Sequence, residues 1–98
     1  MTCIVNLQIP VKKEAKAQFF ADFATLVVAT RSRPDCIWLY LADNEDTGHV
    51  EAVSMWTSKA AYEEYLAWRM SYGALDAIAD VLDGEPIFRY LEVRHAMP

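Results

Sequence analysis

Apolar and polar positions along the chain change period several times, and each change marks a predicted element. Thr2 to Ile9 alternates and is rich in β-branched residues, and Pro10 closes the run, which predicts a first strand. From about Lys13 to Arg31, Ala15, Phe19, Phe23, Leu26, Val27 and Thr30 recur at helical spacing. Lys12, Lys16, Gln18, Asp22 and Thr25 fall mainly on the other side, the pattern of a long amphipathic helix. Ser32-Arg33-Pro34-Asp35 ends it, because the proline ring biases Arg33 away from helical geometry. Residues 36–42 are apolar at both parities, so this second strand should bury both faces. Residues 43–48 form a polar turn, and His49 to Trp56 pairs back as a hairpin. Thr57 or Ser58 can N-cap a helix starting near Lys59. A further helical stretch, broken from it around Tyr72-Gly73, holds Leu75, Ile78, Ala79 and Leu82. Asp83-Gly84-Glu85-Pro86 should end it, with the glycine just past the last turn. Ile87 to Val93 is the last strand.

The resulting order, βαββαβ, predicts an α+β fold: a ferredoxin-like antiparallel sheet with helices on one face, in one domain over residues 1–98. The uncovered face must be polar or must pack on something. Val53 and Met55 lie opposite Ala52, Ser54 and Trp56 on the third strand, so both of its faces are largely apolar. A homodimer is expected, its two sheets face to face as a dimeric α/β barrel. In this strand order the strands carrying Cys3 and Cys36 are separated by a third, beyond disulfide reach, so two reduced thiols are expected.

Composition supports association and narrows the partners. The chain is 54% hydrophobic and 23% charged, rich in apolar residues for 98 residues. A net charge of −5 and no basic run longer than Lys12-Lys13 exclude non-specific nucleic-acid binding, which requires neutralising phosphates. No apolar run reaches the ~20 residues of a membrane span, and the segment from Met1 lacks the features of a signal peptide. A cytoplasmic protein without a membrane partner is therefore expected.

The junction from Val50 to Arg69 concentrates aromatic residues: Trp56 leaves a strand, and Tyr62, Tyr65 and Trp68 follow on a helix. Together with Pro34-Asp35-Cys36, Trp56-Thr57-Ser58 and Gly84-Glu85-Pro86, this order resembles the antibiotic biosynthesis monooxygenase family, small dimeric α/β barrels, over nearly the whole chain. Asp35 replaces the family's usual Gly and is expected to support left-handed backbone. Ser54 stands where many members have Glu, and Tyr65 where many have His. The family's anthrone oxygenases, which need neither metal nor flavin, use an Asn four residues before the Trp, the Trp itself and a Tyr six after it. Trp56 and Tyr62 match, while Ala52 replaces the Asn. Its haem-degrading members use an Asn on the first strand, which Asn6 matches, and an axial His. No His occurs around Leu75, so the resemblance does not favour haem degradation.

The resemblance implies a monooxygenase oxidising an electron-rich quinol, anthrone or polyketide-type phenol with molecular oxygen and no cofactor or metal. The alternative is a small-molecule binding or sensing barrel without catalysis. Asn6, Trp56, Tyr62 and Tyr65 are the catalytic candidates, the Trp56 indole N–H orienting a ligand oxygen and the phenols donating to a developing oxyanion. Phe23, Trp68, Arg69 and Tyr72 are expected to contact substrate. Arg69 has a competing role, a salt bridge with Glu64 or Glu85. His49, a tyrosine, or ionisation of the substrate itself could provide the base.

Overall fold

The computed structural model describes residues 2–96; Met1, where the segment considered above for a signal peptide begins, lies outside them. Four strands, β1 (Cys3–Ile9), β2 (Cys36–Asp43), β3 (Val50–Trp56) and β4 (Ile87–Glu92), form one sheet in the order β2-β3-β1-β4. Every neighbouring pair is antiparallel. Helices α1 (Lys16–Arg31), α2 (Lys59–Ser71) and α3 (Ala74–Ile78) complete a ferredoxin-like α+β fold.

Strand parity determines which residues meet the helices. Val50, Ala52, Ser54 and Trp56 alternate with half-buried neighbours along β3, and all four are buried. Cys3, Val5 and Ile9 are buried on the same face of β1. Two clusters result. Trp56 and Tyr62 centre one, and Ile9, Val50 and Phe19 centre the other. Burial of side chains this large contributes about 1.5–3 kcal/mol each and fixes the register, since a one-residue slip would turn all of them outward.

The hairpin between β2 and β3 closes on Asn44, whose Oδ1 accepts from the backbone N–H of Asp46 and Thr47 at 3.0 and 3.2 Å. Gly48 supplies the positive φ that follows. Ser58 caps α2, its Oγ accepting from the Ala61 N–H at 3.1 Å. Gly73, at φ 71°, makes the break between α2 and α3.

Several expectations are corrected. The stretch after Gly73 is shorter than its periodicity suggested: α3 has 5 residues, a 3-10 turn covers Ala79–Val81, and Leu82 is already extended and bridged to Val11. Gly84 is not a left-handed cap. A Cβ there would lie 3.4 Å from Pro10 Cγ, so this position is held small by close approach. Asp35 is not left-handed either. Its carboxylate and its carbonyl accept from the Thr57 side chain and N–H at 2.8 and 3.0 Å, tying the start of β2 to the end of β3. The expected burial of both β2 faces is met within the chain on the helix side alone; the other face, where Tyr40 is 66% exposed, is the one expected to meet a second copy. Leu26 on α1 is 44% exposed, although its spacing placed it in the core.

Cys3 and Cys36 are buried free thiols, each in register with Trp56 from opposite sides of β3. Burial pushes the Cys36 thiol up, against a smaller downward pull from Arg31. No helix among the described residues is long and apolar enough to cross a membrane.

Candidate functional site

A cavity of about 470 Å³ lies between the helix-covered face of the sheet and the three helices. It exists because β3 carries small side chains there. Ala52 and Ser54 form part of the floor with Val5, Leu7 and Trp56, and the helices cannot descend to fill the gap they leave. Phe23, Leu26 and Thr30 of α1 form one wall; Tyr62, Tyr65, Trp68 and Arg69 of α2 form another. Leu26, Met70, Tyr72 and Leu75 line the cavity and are also exposed, so they mark its rim. This explains the exposure of Leu26: its side chain borders open volume instead of packed core.

The polar groups inside are few and specifically engaged. The Trp56 Nε1–H, on a residue 1% exposed, donates to Ser54 Oγ at 2.8 Å. The indole N–H is therefore satisfied within the chain, contrary to the expectation that it would orient a ligand. The Ser54 hydroxyl keeps a proton of its own for donation into the cavity. Tyr65 lies over Trp56 with ring centroids 4.9 Å apart. Its Oη receives the Arg69 Nε–H at 2.8 Å and meets Thr30 Oγ1 at 2.6 Å. Arg69 Nη2 donates to Thr30 Oγ1 at 2.9 Å and to the Leu26 carbonyl at 2.8 Å.

One guanidinium thus polarises two hydroxyl groups at once. Only one hydroxyl proton can occupy the contact between Thr30 and Tyr65, so the other remains to point at a bound oxygen. Arg69 forms neither of the expected bridges to Glu64 or Glu85. Tyr62 is 4% exposed and packs edge-on against Trp56 and Tyr90. Burial chiefly, then the neighbouring Tyr90 and Tyr65, raises its phenol above the ordinary tyrosine range, so Tyr62 stays protonated.

Seven of the eight sequence candidates, Phe23, Trp56, Tyr62, Tyr65, Trp68, Arg69 and Tyr72, line this cavity. Asn6 does not. Its position on β1 alternates with Val5 and Leu7, so it faces the other side of the sheet, where its Nδ2 donates to Glu51 Oε1 at 2.9 Å and its Oδ1 is buried without a partner. The amide hydrogen bonds from Asn6 and then Asn44 hold the Glu51 carboxyl below its usual range. Asn6 and Tyr65 therefore belong to opposite faces of the sheet. His49 lies outside the cavity as well, half-buried, with its Nδ1 lacking a partner. Thr30 was missed as a site residue because it reads simply as one more position of an apolar helix face. The available signal was a hydroxyl ending that face. Among the described residues no group of three or more His, Cys, Asp or Glu side chains could hold a metal ion.

Comparison with known proteins gives a consistent result. A family model described as antibiotic biosynthesis monooxygenase matches residues 2–71. A search of curated proteins finds no match. Among solved structures, Rv0793 from Mycobacterium tuberculosis superposes with a TM-score of 0.85 at 14% identity, covering 100% of both chains. A conserved protein of Methanosarcina mazei gives 0.83 at 14% identity, over 96% of this chain and 94% of the other. The monooxygenase from the gene ActVA-Orf6 of Streptomyces coelicolor, solved with the ligand Nanaomycin D, gives 0.77 at 21% identity, over 98% and 90%. At these identities the structures establish a shared fold.

Proposed function

Because the chain belongs to the antibiotic biosynthesis monooxygenase family, we propose that its cavity binds an electron-rich polycyclic phenol, anthrone or quinol and oxidises it with molecular oxygen, without a cofactor. The observation that carries this reading is the cavity itself: largely apolar, walled by aromatic rings, with a polar corner at Tyr65, Thr30 and Arg69. A planar aromatic fits such walls by area burial and ring contact. With the anthrone carbonyl oxygen at the polar corner, the ring CH₂ conjugated to it becomes more acidic, because preorganised donors stabilise the enolate oxyanion as it forms; the proton lost here returns to the peroxide formed below. The anion passes one electron to oxygen. The substrate radical and superoxide combine at carbon, and the resulting hydroperoxide loses water. In sum a CH₂ group and O₂ become a carbonyl and H₂O, with no external reductant. Tyr62, kept neutral, would act as wall and donor.

A second reading, a binding or sensing barrel without turnover, is favoured by one feature: among the described residues no Asp, Glu or His lines the cavity to act as a base. An oxygen electrode separates the two. The first reading expects uptake of one O₂ per anthrone, with kcat lowered about a hundredfold by Tyr65→Phe. Quenching of tryptophan fluorescence by anthrone without oxygen uptake would leave the binding barrel.

The reading includes a homodimer. Tyr40, Ile87 and Leu91 are exposed on the face of the sheet away from the helices, beside the half-buried Ile4, Trp38, Val53 and Met55. Two such faces stacked would cover these residues and leave each helix-side cavity open to solvent.

A further inference from the structure

Two arginines converge on one aromatic wall of the cavity without a carboxylate between them. Arg33, in the turn after α1, holds its guanidinium carbon 4.7 Å from the Trp68 ring centroid and 5.7 Å from that of Tyr65. Arg69, in the last turn of α2, lies 5.1 and 5.4 Å from the same two rings. Both rings line the cavity. Among the described residues the ion pairs are Lys16 with Asp43 and Arg94 with Glu92; neither Arg33 nor Arg69 has an acidic partner.

Each guanidinium gains from the ring faces, and two like charges are gathered on the same pair of rings. An anion within reach of both would gain two attractions. Donors are also available. Arg69 commits Nε and Nη2 to Tyr65, Thr30 and the Leu26 carbonyl, which leaves Nη1. The Arg33 side chain makes no hydrogen bond among the described residues and rests only on the two rings, so its planar fork is open to a carboxylate.

We propose that the ligand of this cavity is an aromatic acid: a planar ring system lying against Trp56 and Tyr65, whose carboxylate is held by Arg33 and Arg69 at the Trp68 end. This rests on the reading of the cavity as an aromatic-binding site, and it adds a specificity-determining residue, Arg33, that lies outside the cavity lining.

The test uses anthraquinone carboxylate and its uncharged methyl ester, both inert to oxygen, titrated against the fluorescence of the intact protein. The acid is expected to bind about tenfold tighter than the ester at low ionic strength, with the gap narrowing as salt is added. Arg33→Gln should bring the acid close to the ester, and Arg94→Gln, in the exposed tail, should leave the gap intact. Equal binding of acid and ester by the unaltered protein overturns this inference while sparing the aromatic cavity. An acid preference that persists in both Arg33→Gln and Arg69→Gln also overturns it. If neither compound binds, the inference and the reading beneath it fall together.

Discussion

Tyr62 shows how one buried phenol links packing to pH. Its ordinary pKa of 10.0 is raised in the fold, mainly by burial. A group raised in this way contributes its full stability below the unfolded value. That contribution is lost as pH rises past 10.0, because the unfolded chain ionises there first while the folded chain resists. Tyr62→Phe removes the titrating group. Urea midpoints measured on either side of pH 10.0 should therefore fall less steeply for the variant than for the parent chain. Parity on β3 made half of the surroundings of Tyr62 legible in sequence: a strict alternation put Trp56 over Ala52 and Ser54, and two small side chains under a helix imply space. The hydrogen bonds were not legible. Trp56 and Ser54 are two residues apart, yet nothing in their identities says that the indole turns inward along its own strand. The contact between Thr30 and Tyr65 joins residues 35 apart, and the Arg69 contact with Thr30 joins residues 39 apart, so both depend on how α1 crosses α2.

Among the elements, α2 carries most of the candidate site, so its N-terminus controls where the aromatic wall stands. Ser58 Oγ satisfies one of the otherwise unpaired N–H groups of the first turn. Ser58→Ala should cost about 1 kcal/mol in stability, read from urea denaturation followed by far-ultraviolet circular dichroism. Tyr62 and Tyr65 sit within the first two turns, so activity should fall further than this loss of stability alone accounts for. The caps and breaks of this region were legible where a residue has one dominant local use, as Ser58 and Gly73 do. They were not legible where spacing is shared between geometries. Leu75, Ile78 and Leu82 fit one long helix as well as the short α3, the 3-10 turn and the extended Leu82 that the chain adopts. Gly84 carried the same ambiguity, since a glycine required by contact with Pro10 reads in sequence like a glycine required by its backbone angle.

At the scale of the molecule, the sheet divides the chain into two chemically distinct sides. The helix-covered side holds the cavity. The other side holds Asn6, Glu51 and Asn44 amid exposed apolar residues, and on our reading it meets a second copy. Val53→Glu puts a charge on that side, in mid-strand, without entering the cavity. Sedimentation equilibrium should show a dimer for the parent chain and a monomer for the variant; a parent chain that is already monomeric at micromolar concentration would contradict the pairing. The ferredoxin-like order was legible because the hydrophobic period switches cleanly between strands and helices. The side on which Asn6 falls relative to Tyr65 required the registers of both pairs flanking β1. That division makes one measurement decisive: a crystal structure of the protein grown with an inert anthraquinone. Ligand density is expected on the helix-covered side, against Trp56, Tyr65 and Phe23, with an oxygen at the corner formed by Tyr65 and Thr30. Density beside Asn6 on the opposite side of the sheet, with the cavity empty, would contradict it.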